Sequence, residues 1–238
     1  MKSLGYNVID TSSTTRSTID SFGAKVIIYT GYDKDHCQWD VPDSTWQSQV
    51  LNLKSDANVV GWFLADEPHP YTAGNCTSSA AQIKARADFL HANAPGQKAM
   101  IVVLDGSNAC GSRPEGCEYK FFNEAATHAD LIGIDPYVCS TAHPSCDYSK
   151  ITQRVDSAVA NGIPLDRIMP VYQAFGGDGY YLMPTAAQET TLLQTWNSLA
   201  PSGGWAGEYT YEWSQSSEPD GLSNHPQVQS VFAAHNGA

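Results

Sequence analysis

Apolar runs of strand length recur along this chain, and between them lie segments whose apolar residues return about every 3.6 positions. The runs are Gly5 to Asp10, Ala24 to Thr30, Asn58 to Asp66, Lys98 to Asp105, Asp130 to Tyr137, Arg167 to Gln173 and Trp205 to Trp213. Most are continuous rather than alternating, which is the pattern of strands covered on both faces. The intervening helical patterns cover Thr15 to Phe22, Thr45 to Lys54, Ser78 to Asn93, Lys120 to His128, Ile151 to Asn161 and Thr185 to Ala200, and a last one, Pro226 to Ala234, closes the chain. Alternation of this kind predicts a parallel sheet with helices packed outside it.

The 238 residues are close to the ~250 of a (β/α)8 barrel, and no linker or low-complexity tract divides them. One domain spanning residues 1–238 is expected. Seven strands are clear, where a barrel of this kind has eight. Met1 to Asn7 reads like the last turn of a helix feeding a strand, so the expectation is an α/β barrel whose first strand is absent or atypical. A natively seven-stranded barrel and a doubly wound sheet are the alternatives.

Composition narrows the partners. The chain carries 13 basic and 25 acidic residues, a formal net charge of -12. Nucleic-acid and anionic-membrane binding are therefore not expected, and a neutral or cationic ligand fits better. Twelve tyrosines and six tryptophans supply aromatic faces suited to sugar rings. Six cysteines, Cys37, Cys76, Cys110, Cys117, Cys139 and Cys146, include two close pairs in loop-like stretches and contain no CxxC. Pairing Cys110 with Cys117, Cys139 with Cys146 and Cys37 with Cys76 would staple three loops, although six cysteines allow about 15 pairings. Disulfides imply export, so a secreted protein is expected, and separately a monomer.

The candidate chemistry lies where the strand Asn58 to Asp66 ends abruptly in Asp66-Glu67-Pro68. In barrels the reactive side chains sit at the carboxyl ends of strands. Glu67 is the first candidate for a catalytic acid, with its proton retained by burial beside Trp62 or by a neighbouring carboxylate. Asp66 beside it would face the other way on a regular strand, unless a kink at Pro68 turns both to the mouth. As alternatives, Asp66 caps the following helix and Glu67 is a surface loop residue.

Three stretches together resemble TIM-barrel glycoside hydrolases of the clan-A type: Gly61-Trp62-Phe63-Leu64-Ala65-Asp66-Glu67-Pro68, Ala129-Asp130-Leu131-Ile132-Gly133-Ile134-Asp135-Pro136-Tyr137 and Pro170-Val171-Tyr172-Gln173-Ala174-Phe175-Gly176. The resemblance implies hydrolysis of O-glycosidic bonds in an oligo- or polysaccharide, with Glu67 as proton donor and no cofactor. Gln173 stands where such enzymes carry a nucleophilic glutamate, and an amide cannot form the ester intermediate. The adjacent Asp66-Glu67 pair also resembles substrate-assisted hexosaminidases, in which the substrate's own N-acetyl group attacks and the aspartate steadies it.

A second carboxylate must then come from another strand end. Glu212 and Glu208 are four apart in the last apolar run and share a face if it is extended. Glu212 is the favoured partner, and Glu208 is expected deeper as an anchor. Asp135 is the next candidate, or else it starts a turn at Pro136. Tyr29, Trp62, Tyr137, Gln173, Glu208 and Trp213 are expected against substrate, with Trp39, Trp46, Tyr71, Tyr180 and Tyr181 as further stacking candidates. The scattered His36, His69, His143 and His225 lack metal-site spacing, and no metal is expected. A barrel that binds carbohydrate or protein without catalysis is the competing class.

Overall fold

The computed structural model describes residues 1–34, 36, 38–69, 79–104, 117–177, 179–213 and 220–237, with the side chains of 79 and 117 set aside. The apolar runs form strands in the order expected: β1 (Val8–Thr11), β2 (Lys25–Tyr29), β3 (Val59–Asp66), β4 (Lys98–Val103), β5 (Leu131–Ile134) and β6 (Ile168–Gln173). A short β7 (Phe175–Gly176) precedes β8 (Tyr209–Tyr211), and β9 (Asp220–Gly221) pairs antiparallel with β7. The helices are α1 (Arg16–Ser21), α2 (Asp43–Leu53), α3 (Ser79–Asn93), α4 (Cys117–Phe121), α5 (Glu124–Thr127), α6 (Ser149–Ala160), α7 (Ala186–Leu199) and α8 (Pro226–His235).

Besides the added β7/β9 pair and a shorter β5, two elements differ from the sequence pattern. The helix expected over Lys120 to His128 is broken at Asn123, whose extended backbone and side-chain oxygen, accepting from the Ala126 amide at 3.1 Å, start a new helix. The last strand shrinks to three residues, because β6 offers it only Val171 to Gln173 as hydrogen-bonding partners.

Seven strands, β1 to β6 and β8, form one parallel sheet in sequence order. The sheet curls, so its two edges are joined by side chains: the Tyr6 hydroxyl reaches Thr210 Oγ1 at 3.0 Å and the Tyr209 hydroxyl reaches Asp10 at 2.8 Å. This is the TIM-barrel-like α/β architecture that the alternation predicts, with seven strands in the curled sheet among the described residues.

Alternation along each strand divides the apolar residues between two compartments. Ile27, Phe63, Met100, Val102, Met169 and Val171 fill the interior of the curl. Ile28, Trp62, Leu64, Ile101, Ile132 and Tyr172 face the helices and join Trp46, Leu90, Val155 and Trp196. Trp62 and Trp46 meet edge-to-face at 5.8 Å, and the Trp62 indole donates to Gln97 Oε1 at 2.7 Å. Truncating either to alanine would cost about 3–5 kcal/mol.

Cys139 and Cys146 form a disulfide, with their Cα atoms 4.1 Å apart. The proposed partnerships of Cys37 with Cys76 and of Cys110 with Cys117 lie outside the described residues. None of the helices among the described residues is long and apolar enough to cross a membrane.

Candidate active site

The end of β3 is irregular, and that irregularity builds the site. The register against β4 runs Phe63 to Met100 and then Ala65 to Ile101, so a bulge falls at Leu64. Leu64 and Ala65 both pack toward the helices, and the next residue, Asp66, pairs with the inward-facing Val102. Without the extra residue, Asp66 would share the outward face of Trp62 and Leu64. Glu67 follows at φ +43°, with its amide donating to the Val102 carbonyl at 3.0 Å. A left-handed glutamate is strained, and such strain persists only where its surroundings hold it. Bulge and left-handed turn together send two successive carboxylates to the mouth of the curl.

Asp135, one residue beyond β5, completes a trio. It is 4% exposed and hydrogen-bonds to Glu67 through its side chain, while its Oδ1 has no hydrogen-bond partner. Burial, then the charges of Glu67 and Asp66, raise its pKa well above the carboxylate range. Two ionised carboxylates cannot share a hydrogen bond, so Asp135 holds a proton and donates it to Glu67. Lys34, in the loop after β2, places its ammonium 2.5 Å from Glu67 Oε2. Glu67 thus sits between the Lys34 ammonium and the Asp135 carboxyl.

Asp66 is reachable by solvent yet surrounded, as a group on the floor of a concave mouth would be. Burial first, and then Glu67 and Asp10, push it up to about 7, with Lys34 working the other way. Asp10 accepts the Tyr209 hydroxyl and is itself raised by burial. Tyrosines wall the mouth. Tyr29 lies 4.8 Å from the Phe63 ring, and its acidity is weakened to about 12 by burial and Asp66. Tyr137 packs edge-on against Phe175 at 4.8 Å and lies 6.4 Å from Tyr211. Burial and the trio's charges keep its hydroxyl neutral.

The loop carrying Lys34 is held in place by its neighbours. Gly31, at φ +74°, lets the chain turn where a Cβ would lie 2.0 Å from the Asp40 carboxylate. The Trp39 indole donates to the Leu64 carbonyl at 2.6 Å. Arg86, 3% exposed, stacks over Trp39 at 3.9 Å, bonds Asp43 at 2.9 Å and bonds the Val41 carbonyl at 2.7 Å.

Several expected site residues stand elsewhere. Trp62 is fully buried beneath the helices and offers no face to a ligand, and Trp46 is buried with it. Gln173 is 1% exposed, and its amide is spent on the disulfide loop: Oε1 accepts from the Cys139 amide at 2.9 Å, and Nε2 donates to the carbonyls of Cys139 and Leu182. In β8 the inward positions belong to Tyr209 and Tyr211. Glu208 therefore points outward and binds His235 of α8 at 2.6 Å, an anchor on the helix side rather than in the interior. Glu212 lies just past β8, 7% exposed, with its carbonyl accepting from the Leu222 amide. One carboxyl hydrogen-bonded to Glu67 is that of Asp135. Trp213 rests on the outer core, Tyr180 is 52% exposed, Tyr181 packs on Tyr137 at 5.5 Å, and Tyr71 is outside the described residues.

Sequence reasoning missed Lys34, Asp10, Tyr209 and Tyr211. Asp10 ends an apolar run just as Asp66 does, so the strand-end rule would have found it. No comparable signal marks Lys34. Among the described residues no three His, Cys, Asp or Glu side chains are grouped to hold a metal ion.

The curled sheet is shared with solved glycoside hydrolases. A glycoside hydrolase family 5 mannosidase from Rhizomucor miehei superposes over 100% of this chain and 85% of its own, at TM-score 0.62 and 12% identity. A chitinase from Chromobacterium violaceum does so over 100% and 95%, at 0.58 and 13%. A glucosidase from Croceicoccus marinus matches over 93% of this chain and 52% of its own, at 0.61 and 11%. At such identities the likeness is one of fold. No protein-family model and no curated protein matches the sequence.

Proposed function

We propose that this protein hydrolyses O-glycosidic bonds of an oligo- or polysaccharide, with Glu67 delivering the proton to the departing oxygen. The observation that carries this reading is the trio itself: Asp66, Glu67 and Asp135 converge at the carboxyl end of a TIM-like sheet, with burial and the two neighbouring acids raising the pKa of Asp135. That is where barrels keep their chemistry, and paired carboxylates are what glycoside cleavage requires.

In the resting state the transferable proton lies on Asp135 and Lys34 neutralises Glu67. A glycosidic oxygen arriving at Glu67 displaces the Lys34 ammonium. Loss of that cation draws the Asp135 proton onto Glu67, and Glu67 passes it to the glycosidic oxygen as the bond to the anomeric carbon breaks. Water supplies hydroxide to that carbon, and its remaining proton goes to a carboxylate, a role that Asp66, exposed at the mouth, can take. Positive charge developing at the sugar is stabilised by the same negative groups. Tyr29, Tyr137 and Tyr211 supply walls and hydroxyls for the rings.

A second reading rests on the same turn of β3. With Asp66 and Glu67 both facing the mouth, Asp66 would steady an N-acetyl group that attacks its own anomeric carbon. The disulfide supports action outside the cell.

The test is incubation of the protein with plant, fungal and bacterial polysaccharides and mass analysis of what is released. Oligosaccharides with new reducing ends are expected. Release confined to N-acetylhexosamine polymers would select the substrate-assisted route, and silence across the panel would remove hydrolysis in favour of a binding role.

A further inference from the structure

Resting on the hydrolytic reading, we propose that Tyr180 is the outer sugar-stacking platform of the binding groove, so that the substrate is a chain several pyranose units long rather than a single terminal sugar. Tyr180 is 52% exposed, and no other aromatic side chain among the described residues is as open to solvent. A lone exposed ring means little. This one is the outer member of a run of touching rings. Tyr180 meets Tyr181 edge-on with centroids 4.8 Å apart, Tyr181 meets Tyr137 at 5.5 Å and Phe175 at 5.2 Å, and Tyr137 lies 6.4 Å from Tyr211. Tyr137 and Tyr211 pack on the apolar interior of the curl. Tyr137 also follows Asp135 by two positions, with its amide donating to the Asp135 carbonyl at 2.8 Å. The run therefore leads outward from the trio to the surface, and a sugar seated on Tyr180 is joined to the scissile bond through sugars lying along Tyr181 and Tyr137.

A second observation is how firmly this exposed ring is held. The loop after β5, closed by the Cys139–Cys146 disulfide, is stitched to the segment that carries Tyr180 and Tyr181. The Thr141 amide donates to the Tyr180 carbonyl at 2.8 Å, the Gly177 amide to the Tyr181 carbonyl at 3.0 Å and the Leu182 amide to the Cys139 carbonyl at 3.1 Å. The buried Gln173 amide ties the same two stretches together through Cys139 and Leu182. Gly176 permits the approach, since a Cβ there would lie 2.1 Å from the Met183 amide nitrogen. Both stretches follow the carboxyl ends of their strands, the end at which Asp66, Glu67 and Asp135 lie. A tyrosine on a backbone fixed in this way has little freedom left to lose, so a ligand that covers its ring forfeits little entropy. The C–H face of a pyranose suits that ring, because it is apolar while the sugar hydroxyls stay in water.

The test is calorimetric binding of cello-, xylo-, manno- and chito-oligosaccharides from dimer to hexamer, measured in a Glu67→Gln background alone and combined with Tyr180→Ala or Tyr180→Phe, with cleavage of the same oligosaccharides by the wild type followed by mass. In at least one series affinity is expected to rise by about tenfold from dimer to hexamer, with the rise falling to about twofold in Tyr180→Ala and kept in Tyr180→Phe, which retains the ring. Exposed as it is, Tyr180 can be truncated without opening the core, and circular dichroism checks the fold of each variant. A rise that survives in Tyr180→Ala, or the absence of any rise in all four series, overturns the inference, and cleavage by the wild type then leaves the hydrolytic reading standing. A rise that depends on the Tyr180 ring while the wild type cuts no bond supports the platform and removes the hydrolysis.

Discussion

At the scale of single residues the account turns on three carboxyls that cannot all be ionised together. Asp66, raised to about 7 mainly by burial and then by Glu67, is the one that titrates near neutrality. As pH rises through about 7 it gains the charge that lets it take water's proton, so activity should rise along an acidic limb there. In Asp66→Asn that limb should move or vanish in the pH profile of kcat/KM. The sign for stability follows from the same shift. A carboxyl whose folded pKa lies above its unfolded value binds more protons when folded, so stability declines as pH rises from about 4 to about 7. Asp66→Asn should therefore melt above the wild type at pH 8 and close to it at pH 4. A lower melting temperature at pH 8 would show that Asp66 is not strained in its charged form. Asp135→Asn removes the stored proton but keeps the shape, and turnover is expected to drop by about 10²-fold or more with folding intact, checked by circular dichroism.

At the scale of elements, the strands and helices were legible because burial writes itself into sequence. A strand covered on both faces must be apolar throughout, and Val59 to Ala65 is. What could not be read was the register between neighbouring strands. The bulge at Leu64 exists only as a relation between β3 and β4, and it reverses the face on which Asp66 falls. Pro68 signals a turn, but the bulge and the left-handed Glu67 do the turning. The same ignorance of faces put Glu208 inside, where Tyr209 and Tyr211 stand. Lys34 reaches Glu67 from a loop, across 33 positions, with nothing local to announce it. That loop depends on Arg86, whose guanidinium joins Asp43, Val41 and Trp39. Arg86→Met should cost about 2–3 kcal/mol in denaturant unfolding, because charged hydrogen bonds are lost while much of the packing is kept. An unchanged midpoint would mean that the loop is held by Trp39 alone.

At the scale of the whole molecule, a second set of stabilising polar ties lies at the end of the sheet opposite the chemistry. At the amino end, Asp130 accepts from the Ala99 amide at 2.9 Å and pairs with His91 at 2.8 Å and Arg167 at 3.3 Å. Burial works against its charge, but the Ala99 amide and His91 outweigh it and hold the carboxyl below its ordinary value. A depressed carboxylate stabilises the fold above its unfolded pKa, and that contribution is lost as pH falls through the folded one. Asp130→Asn should thus be less stable than wild type at pH 7, by about 1–3 kcal/mol, with the two converging only as pH falls through the lowered folded pKa. A constant difference across pH would assign the loss to packing instead. The fold belongs to the architecture of the mannosidase, chitinase and glucosidase it superposes on. Because one fold serves many reactions, the function is argued from the mouth and not from the barrel.

The most direct measurement is the dependence of Glu67→Gln on the leaving group. An activated aryl glycoside, whose phenolate departs without a proton, is compared with an unactivated oligosaccharide. If Glu67 is the proton donor, the variant loses on the order of 10³-fold in kcat/KM on the oligosaccharide and far less on the aryl glycoside. Equal losses on both substrates, or wild-type turnover of the oligosaccharide, would contradict it.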